Sequence, residues 1–382
     1  MIDRDELGAW LRLLETPALG RTSARKLLAA FGSPQAVFSS AAAARRGLVG
    51  PAQAAALDSE PDQLGALLES TLAWLNADAG ERRAAIALGD PRYPASLLES
   101  PDPPLLIYAQ GRLELLQAAS IAVVGSRNPT PQGLENARAF ASHMSQAGLT
   151  VISGLALGID AAAHAGALEG AASTVAVVGT GLDIVYPRRN LGLAHRIAAE
   201  GLIVSEYALG TPSMAQNFPR RNRIIAGLAR GTLVVEAALQ SGSLITARLA
   251  NEAGREVFAI PGSIHSPQSR GCHALIKQGA KLVETAQDIL EELRLPGTAP
   301  LTRTAMRSSA PTDASADAAA VAAADADAPL LAALGFDPVT LDGLAARTGW
   351  GAAELSTRLL GLELEGLVAR LPGQLFQRLP GR

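Results

Sequence analysis

The residue types with the clearest chemical potential lie together in the segment Gln216–Gly227, QNFPRRNRIIAG. Three arginines and an asparagine follow Phe218 at the predicted start of a helix. Positive charge at a helix N-terminus opposes the helix dipole by about 0.3–1 kcal/mol per residue, and a bound polyanion removes that cost. An aromatic ring beside the arginines can stack on a nucleobase, a contact worth about 1–3 kcal/mol. The segment therefore indicates a polyanion site that comprises Phe218, Asn222 and the three arginines.

A second candidate anion site follows the predicted strand Ile121–Val124. Gly125 allows a sharp turn, Ser126 offers a hydroxyl, and Arg127 adds a full charge with a planar set of donors. The helix predicted after Pro131 points its first backbone N–H groups at this loop, an arrangement that binds anions. A glycine after a strand also occurs in plain turns, but the adjacent serine and arginine favour binding.

Three further loops after predicted strands combine glycine with polar or aromatic side chains. Glycine lets the backbone approach a ligand closely, and Ser-Gly-Ser at a helix start forms a phosphate-compatible nest. Asp160 is predicted to cap its helix or to accept from a sugar or base, because its charge would repel phosphate. The candidate binding residues are Gly154, Gly158 and Asp160 in the first loop, Gly179, Gly181 and Tyr186 in the second, and Ser241, Gly242 and Ser243 in the third.

Residues that could support catalysis or bind a metal lack suitable partners in the sequence. His164 has no nucleophile nearby in sequence, so a neutral structural histidine is favoured over a catalytic one. Cys272 and His273 are adjacent, which is the wrong spacing for a shared metal. We therefore predict no catalytic residue, no metal site and no cofactor.

The loops need a scaffold, and alternating apolar runs and Ala-rich helical stretches provide one. This alternation predicts an α/β fold, an extended Rossmann-like parallel sheet with helices on both faces, whose ligands bind at the carboxyl ends of the strands. The predicted strands are Ile121–Val124, Thr150–Ser153, Thr174–Val178, Leu202–Ser205, Thr232–Val235, Val257–Ile260 and Lys281–Val283, with Ala84–Leu88 and Leu105–Tyr108 extending the sheet.

Composition limits the possible classes of protein. The chain has 382 residues, 33 basic and 36 acidic, so any nucleic-acid binding must come from a local patch. Nearly all of the positive charge is arginine. A single cysteine, Cys272, rules out an intrachain disulfide, and no signal peptide or membrane-length apolar run is evident. We therefore expect a cytoplasmic protein that does not associate with a membrane.

Smaller modules flank the predicted sheet. We predict a helical, SAM-like or helix-hairpin-helix-like domain over 1–80, the Rossmann-like domain over 81–295, a disordered linker over 296–328 and a winged-helix module over 329–382. For the first domain a packing role is favoured over DNA contact. The predicted recognition helix of the last carries Glu354, Glu363 and Glu365 against Arg358 alone, which favours a protein-contact or regulatory role over DNA readout.

Several of these segments, in this order, resemble the DprA/Smf family of DNA-processing proteins from about Gly89 to Leu290. The matching motifs include Gly89–Pro94 (GDPRYP), Gly125–Arg127, Phe218–Arg223 and Ala259–Gly262. The resemblance implies a homodimer through the Rossmann-like domain that binds and protects incoming single-stranded DNA and loads the recombinase RecA during natural transformation. It implies phosphate contact by Arg127 and base contact by Phe218, with Arg220, Asn222 and Arg223 around them. One departure is His273, where the family usually has asparagine.

Two enzyme classes are the alternatives to a binding protein. Phosphoribohydrolases of the lysine-decarboxylase-like group carry a Pro-Gly-Gly-x-Gly-Thr loop before a catalytic glutamate, whereas Glu236 here is followed by Ala237–Ser243 (AALQSGS). Dinucleotide-binding enzymes carry G-x-G-x-x-G and an acidic residue after the second strand, where this chain has Ser153. We therefore expect a DNA-binding protein and not an enzyme.

Overall fold

The computed structural model describes residues 2–77, 82–293, 327–335 and 338–379. These residues form two compact units. One comprises the described chain up to Asn128 together with Ala137–Leu293, and the other combines Pro129–Asn136 with the described residues beyond Leu293.

A nine-stranded sheet in the order β1-β2-β6-β5-β4-β3-β7-β8-β9 is the centre of the first unit. Strands β3 to β9 are mutually parallel. The register places Ile121 opposite Val151 and Val123 opposite Leu233. The strands are β1 (Arg83–Ala87), β2 (Leu106–Gly111), β3 (Ser120–Val124), β4 (Thr150–Ser153), β5 (Thr174–Val177), β6 (Leu202–Ser205), β7 (Gly231–Val234), β8 (Glu256–Ala259) and β9 (Lys281–Leu282).

The predicted Rossmann-like sheet with helices on both faces is confirmed. Val175 and Val177 of β5 belong to the hydrophobic core on one face of the sheet. Ala176 and Val178 belong to a separate core on the other face, which includes residues of the helix Leu191–Glu200. The helices after β1 are α7 (Ala95–Leu98), α8 (Pro131–Gln146), α9 (Ile159–Ala167), α10 (Leu191–Glu200), α11 (Asn217–Leu228), α12 (Ser243–Glu252), α13 (Arg270–Lys277) and α14 (Ala286–Leu293). Short 3-10 helices cover Leu113–Gln117, Arg188–Asn190 and Pro267–Ser269.

The two strands predicted to extend the sheet do so, and they run antiparallel. Strand β2 pairs with β6 and with β1, in both cases antiparallel. Antiparallel neighbours can be joined without a crossover helix. The faces of β1 and β2 can therefore be covered by helices from elsewhere in the chain.

The N-terminal helices occupy that end of the sheet. They are α1 (Arg4–Glu15), α2 (Arg21–Phe31), α3 (Pro34–Ser39), α4 (Ala42–Val49), α5 (Pro51–Ala56) and α6 (Leu64–Asn76). Their buried leucines share one hydrophobic core with Ala85 and Ala87 of β1 and with Leu106 and Tyr108 of β2. The helical segment is therefore packed on the sheet by apolar burial.

The second unit contains the winged-helix module. Residues 327–334 are helical, so the last two residues of the predicted linker lie in a helix, while the rest of the linker lies outside the described residues. The module continues with β10 (Val339–Thr340), α15 (Leu341–Thr348), α16 (Ala352–Leu364), β11 (Val368–Leu371) and β12 (Leu375–Arg378), and the predicted hairpin wing is confirmed. Strand β10, which pairs with β12, was not predicted.

The acidic recognition helix, α16, retains little free positive charge. The Arg358 guanidinium pairs with Asp327 at 2.7 Å and with Glu354 at 3.2 Å, and it lies 4.6 Å from the Trp350 ring centroid. An arginine held in this way offers little to DNA phosphates.

The strand order has one topological switch point, between β3 and β7. From β3 the chain moves through β4 to β6 in one direction, and from β7 it moves through β8 to β9 in the other. The loops after β3 and β7 therefore diverge and leave a crevice at the carboxyl ends of the strands, the usual ligand position in such sheets. Among the described helices, none is long and apolar enough to cross a bilayer.

Candidate nucleic-acid interface

A cleft of about 810 Å³ opens at this switch point. The β3 loop forms one wall, the β7 loop and the start of α12 form another, and the start of α11 closes a third side. The cleft thus collects loops that lie more than a hundred residues apart in sequence. Of the predicted binding residues, those that line it are Gly125, Ser126, Arg127, Asp160, Tyr186, Phe218, Asn222, Ser241, Gly242 and Ser243.

An aromatic pair with an arginine above it dominates one side of the cleft. The ring centroids of Tyr186 and Phe218 lie 5.5 Å apart with an interplanar angle of 38°, and Tyr186 is 47% exposed. The Arg127 guanidinium carbon lies 5.7 Å from the Phe218 ring centroid. Gly179 backs the ring, since a Cβ there would come within 3.2 Å of Phe218. These groups form a cationic stacking surface suited to a nucleobase and its phosphate.

Hydroxyl groups line the opposite side of the cleft. The Ser241 and Ser243 hydroxyls lie 2.7 Å apart at the start of α12, and the Ser243 N–H donates to Ser241 Oγ at 3.3 Å. Across from them, Ser126 Oγ accepts a hydrogen bond from the Asn128 N–H at 3.1 Å. Hydroxyls beside a helix N-terminus can donate to phosphate or to a base edge.

Gly125 is required where the β3 loop passes closest to its neighbours. A Cβ at this position would lie 2.7 Å from Ile159 Cγ1 and 2.9 Å from the Glu236 carbonyl oxygen. The Ser126 N–H donates to that same carbonyl at 2.7 Å. The absence of a Cβ at Gly125 therefore lets the β3 loop contact the loop after β7 directly, and this contact places Ser126 and Arg127 at the cleft.

Arg221 has a role that the sequence pattern did not reveal. Its guanidinium is buried and donates to the carbonyl of Gly154 at 2.7 Å and to the carbonyl of Val177. Burial lowers the pKa of Arg221 to about 10, so the group remains charged at neutral pH. Arg221 thereby ties α11, which carries Phe218, to the ends of β4 and β5.

Asp160 does not cap its helix, contrary to the prediction. It is the second residue of α9, and Gly158, with φ +80°, occupies the cap position. Asp160 Oδ2 instead accepts from the N–H groups of Gly154 at 3.1 Å and Ala156 at 3.3 Å, inside the loop. Burial raises the pKa of Asp160, and the charge of Arg221 opposes that rise. The carboxylate thus organises the loop that Arg221 also holds.

His164 is a neutral structural residue, as predicted. It is fully buried, Nε2 accepts from the Leu155 N–H at 3.3 Å, and Nδ1 lies 2.7 Å from Thr174 Oγ1. Thr174 Oγ1 donates to the Val151 carbonyl, so Nδ1 carries the proton. Burial lowers the pKa of His164 to about 3, which keeps the ring neutral at physiological pH.

Arg223 does not line the cleft, so the structure does not bring it together with the predicted contacts that do. Its side chain is 12% exposed, pairs with Glu206, and places Nε 2.9 Å from Asp102 Oδ2. Arg21 and Arg25 of α2 pair with the same Asp102, and Arg21 also reaches Glu206 at 3.3 Å. This half-buried cluster of three arginines and two carboxylates attaches α2 of the N-terminal helices to α11, and its carboxylates hold the Arg223 guanidinium away from the cleft.

The remaining predicted residues take different places around the cleft. Arg220 is exposed and, among the described residues, has no ion-pair partner, although it does not line the cleft itself. Gly154 lies against the Arg221 guanidinium, and a Cβ at Gly181 would collide with Asp183 Oδ1 at 2.5 Å. Like Gly158 and Gly179, these two glycines belong to the loops around the cleft but do not line the cavity.

Four polar residues that the sequence analysis did not select either line the cleft or bond to the loops around it. Gln240 and Gln268 line the cavity, and Gln268 Nε2 donates to the Asn128 carbonyl at 3.3 Å. The buried Asn217 donates to the Gly179 carbonyl at 3.0 Å, and Asn190 donates to the Leu155 carbonyl at 2.9 Å. The only available signal was their position at helix starts or in the loops after β7 and β8.

His273 and the neighbouring cysteine stay outside the cleft. His273 Nε2 lies 2.9 Å from the Gly262 carbonyl oxygen, to which it can donate. Cys272 is buried, and burial raises the pKa of its thiol to about 12. Within the described residues, no group of three or more His, Cys, Asp or Glu side chains could hold a metal ion.

Comparison with known proteins identifies the family. The family model for DNA recombination-mediator protein A matches residues 84–294, and the DprA winged helix domain matches residues 314–374. The chain is 42% identical to the Smf protein of Escherichia coli over 307 residues, 80% of this chain and 79% of that protein. The chain belongs to the DprA/Smf family.

Solved structures of DprA proteins share the fold. DNA processing protein A from Streptococcus pneumoniae superposes with a TM-score of 0.66 at 37% identity, over 76% of this chain and 98% of that chain. DNA processing protein A from Helicobacter pylori, whose structure describes a single-stranded DNA binding mode, superposes with a TM-score of 0.51 at 29% identity, over 56% of this chain and 96% of that chain.

The contrast between two adjacent arginines can be tested by stability. Arg221→Ala removes a buried guanidinium that donates to two carbonyls, and we expect the free energy of unfolding to fall by roughly 3–5 kcal/mol. Arg220→Ala is the matched control, and as an exposed substitution it should change stability by about 0.5 kcal/mol or less. Chemical denaturation of both variants measures the difference. Equal destabilisation by the two substitutions would contradict the buried role of Arg221.

Proposed function

We propose that the chain is a recombination mediator that binds single-stranded DNA in the cleft at the switch point. The observation that carries the proposal is the Arg127–Phe218–Tyr186 arrangement, in which two rings and an exposed cation face one cavity. The family assignment supports it, as does the single-stranded DNA binding mode described for the relative from Helicobacter pylori.

The geometry of the rings favours a single strand over a duplex. A base can stack on Phe218 or Tyr186 only when its face is free, and the bases of a duplex are already stacked on each other. Every base has such a face, so binding should depend little on sequence. The cleft therefore suits the unpaired strand.

The charge distribution explains how a chain of net charge −3 can bind a polyanion. Arg127 lies exposed at the cleft, and Arg220 is exposed on the helix that carries Phe218. In the described part of the chain, neither has an ion-pair partner to displace before it meets a phosphate. Local cations of this kind can bind DNA although the whole chain is slightly acidic.

Binding without catalysis is the second part of the proposal. The phosphoribohydrolase alternative needs a catalytic glutamate preceded by a Pro-Gly-Gly-x-Gly-Thr loop, and this motif occurs nowhere in the sequence. The backbone carbonyl of Glu236 accepts from Ser126 and thereby closes the two loops on each other. Release of free base from nucleoside monophosphates would revive the enzyme alternative.

We also propose a homodimer, RecA as a partner, and a role in natural transformation in the cytoplasm. The family supports the recombination role, and a single buried cysteine suits a reducing compartment. Among the described strands β9 ends the sheet, and it is our candidate dimer surface because Leu282 there is 46% exposed and a sheet edge can accept a second strand.

Oligo-dT binding at several salt concentrations tests the DNA site. Wild type should prefer the single strand to a duplex of equal length, and log K should fall with log salt with a slope of about −0.7 per neutralised phosphate. Arg127→Ala should flatten that slope by about 0.7, whereas Phe218→Ala should weaken binding about 5- to 150-fold at nearly constant slope. The matched control is Arg230→Ala, which removes an exposed arginine immediately before β7, at the opposite edge of the sheet. Equal affinity for duplex and single strand would contradict the proposal.

Loading of RecA needs a separate measurement. On single strands coated with a single-strand-binding protein, wild type should shorten the lag of RecA filament assembly, and Phe218→Ala should restore the lag because its hold on DNA is weaker. The Arg230→Ala variant should behave like wild type. Normal DNA binding with an unchanged lag would remove RecA loading from the proposal and leave the DNA site intact.

A further inference from the structure

A second cavity, of about 460 Å³, lies beside the DNA cleft between the end of α6, the start of β1 and α10. We call it the Trp74 pocket. Its lining combines an aromatic ring, two arginines, a histidine and an exposed leucine, namely Trp74, Arg83, Arg188, His195 and Leu191. None of these residues lines the cleft described above.

The two cavities share one wall. Val185 lines the Trp74 pocket, and the next residue, Tyr186, lines the DNA cleft. Consecutive Cα atoms are about 3.8 Å apart, so only one stretch of backbone separates the cavities. Two residues further along, Arg188 again lines the Trp74 pocket. Tyr186, Arg188 and Arg189 are all exposed. Residues Tyr186–Arg189 therefore form a ridge that leads from one cavity to the other.

The side chains of the Trp74 pocket suit a nucleotide. Trp74 is half-buried, and the Arg83 guanidinium carbon lies 5.2 Å from its ring centroid while Nη1 donates to the Trp74 carbonyl at 2.9 Å. Among the described atoms, Arg83 Nε has no hydrogen-bond partner. A fixed ring for a base beside cations for a phosphate is the combination that single-strand binding proteins use.

Negative charge does not cancel these cations. Asp183 is the one carboxylate among the described residues that line the pocket. Both of its oxygens accept from the Gly210 N–H at 2.9 Å, which holds the carboxylate in its own loop. Arg188 has no ion-pair partner within the described chain and is exposed on the ridge, so it can meet an incoming phosphate.

We propose that the Trp74 pocket is a second nucleotide subsite, which receives the same single strand after it leaves the DNA cleft over the Tyr186–Arg189 ridge. The inference rests on the proposed function and adds the path of the strand. It requires that oligonucleotides long enough to cross the ridge gain affinity from residues that shorter ones never reach.

A length series separates this inference from the DNA site itself. An oligo-dT of about four nucleotides should fill the cleft alone, and one of about twelve should also reach the Trp74 pocket. The Arg188→Ala/His195→Ala double variant should bind the long oligonucleotide at least five-fold more weakly and the short one within two-fold of wild type. Arg196→Ala is the matched control, because this exposed arginine of α10 does not line the pocket, and its affinity should match wild type at both lengths.

Trp74 fluorescence supplies an independent readout. The long oligonucleotide should quench wild-type fluorescence more than the short one, and Trp74→Phe should abolish the difference. A double variant that binds both lengths like wild type, or weakens both equally, would overturn the second subsite while the DNA cleft stands. Failure of wild type to bind either length would overturn the cleft and the second subsite together.

Discussion

The buried guanidinium of Arg221 is the contact on which the candidate site depends. It joins α11 to the carbonyls at the ends of β4 and β5, and in doing so it fixes the helix start that carries Phe218. Gly154 must be glycine beside it, because a Cβ there would lie 2.5 Å from the guanidinium. Without this contact the ring would lose its fixed position opposite the β3 loop.

Around that contact, the arginines divide into internal and external groups. Arg221 and Arg223 satisfy carbonyls and carboxylates inside the protein, whereas Arg127 and Arg220 are exposed toward solvent. The internal pair holds the helix, and the external pair is available to phosphate. This division allows a slightly acidic chain to present a cationic site.

Much of this arrangement could be predicted from the sequence, because the carboxyl ends of parallel strands must meet at one edge. The Gly125–Arg127 loop, Phe218 and the Ser241–Ser243 loop do converge there. The residue types alone could not separate the exposed Arg220 from Arg221 and Arg223, because all three lie in one short segment of α11 and the partners of the internal pair lie elsewhere in the chain. Gln240 and Gln268 were missed because only their position in the loops after β7 and β8 pointed to the cleft. Strand β10 was missed because two residues are too few to show a strand pattern.

The central claim is that an unpaired base stacks on the rings of this cleft, and photo-crosslinking tests it most directly. Oligo-dT in which one thymine is replaced by 5-iodouracil should crosslink, on irradiation, to the peptides that contain Tyr186 or Phe218, as mapped by mass spectrometry. Crosslinks confined to the N-terminal helices or to the winged-helix module, with DNA binding intact, would contradict the account.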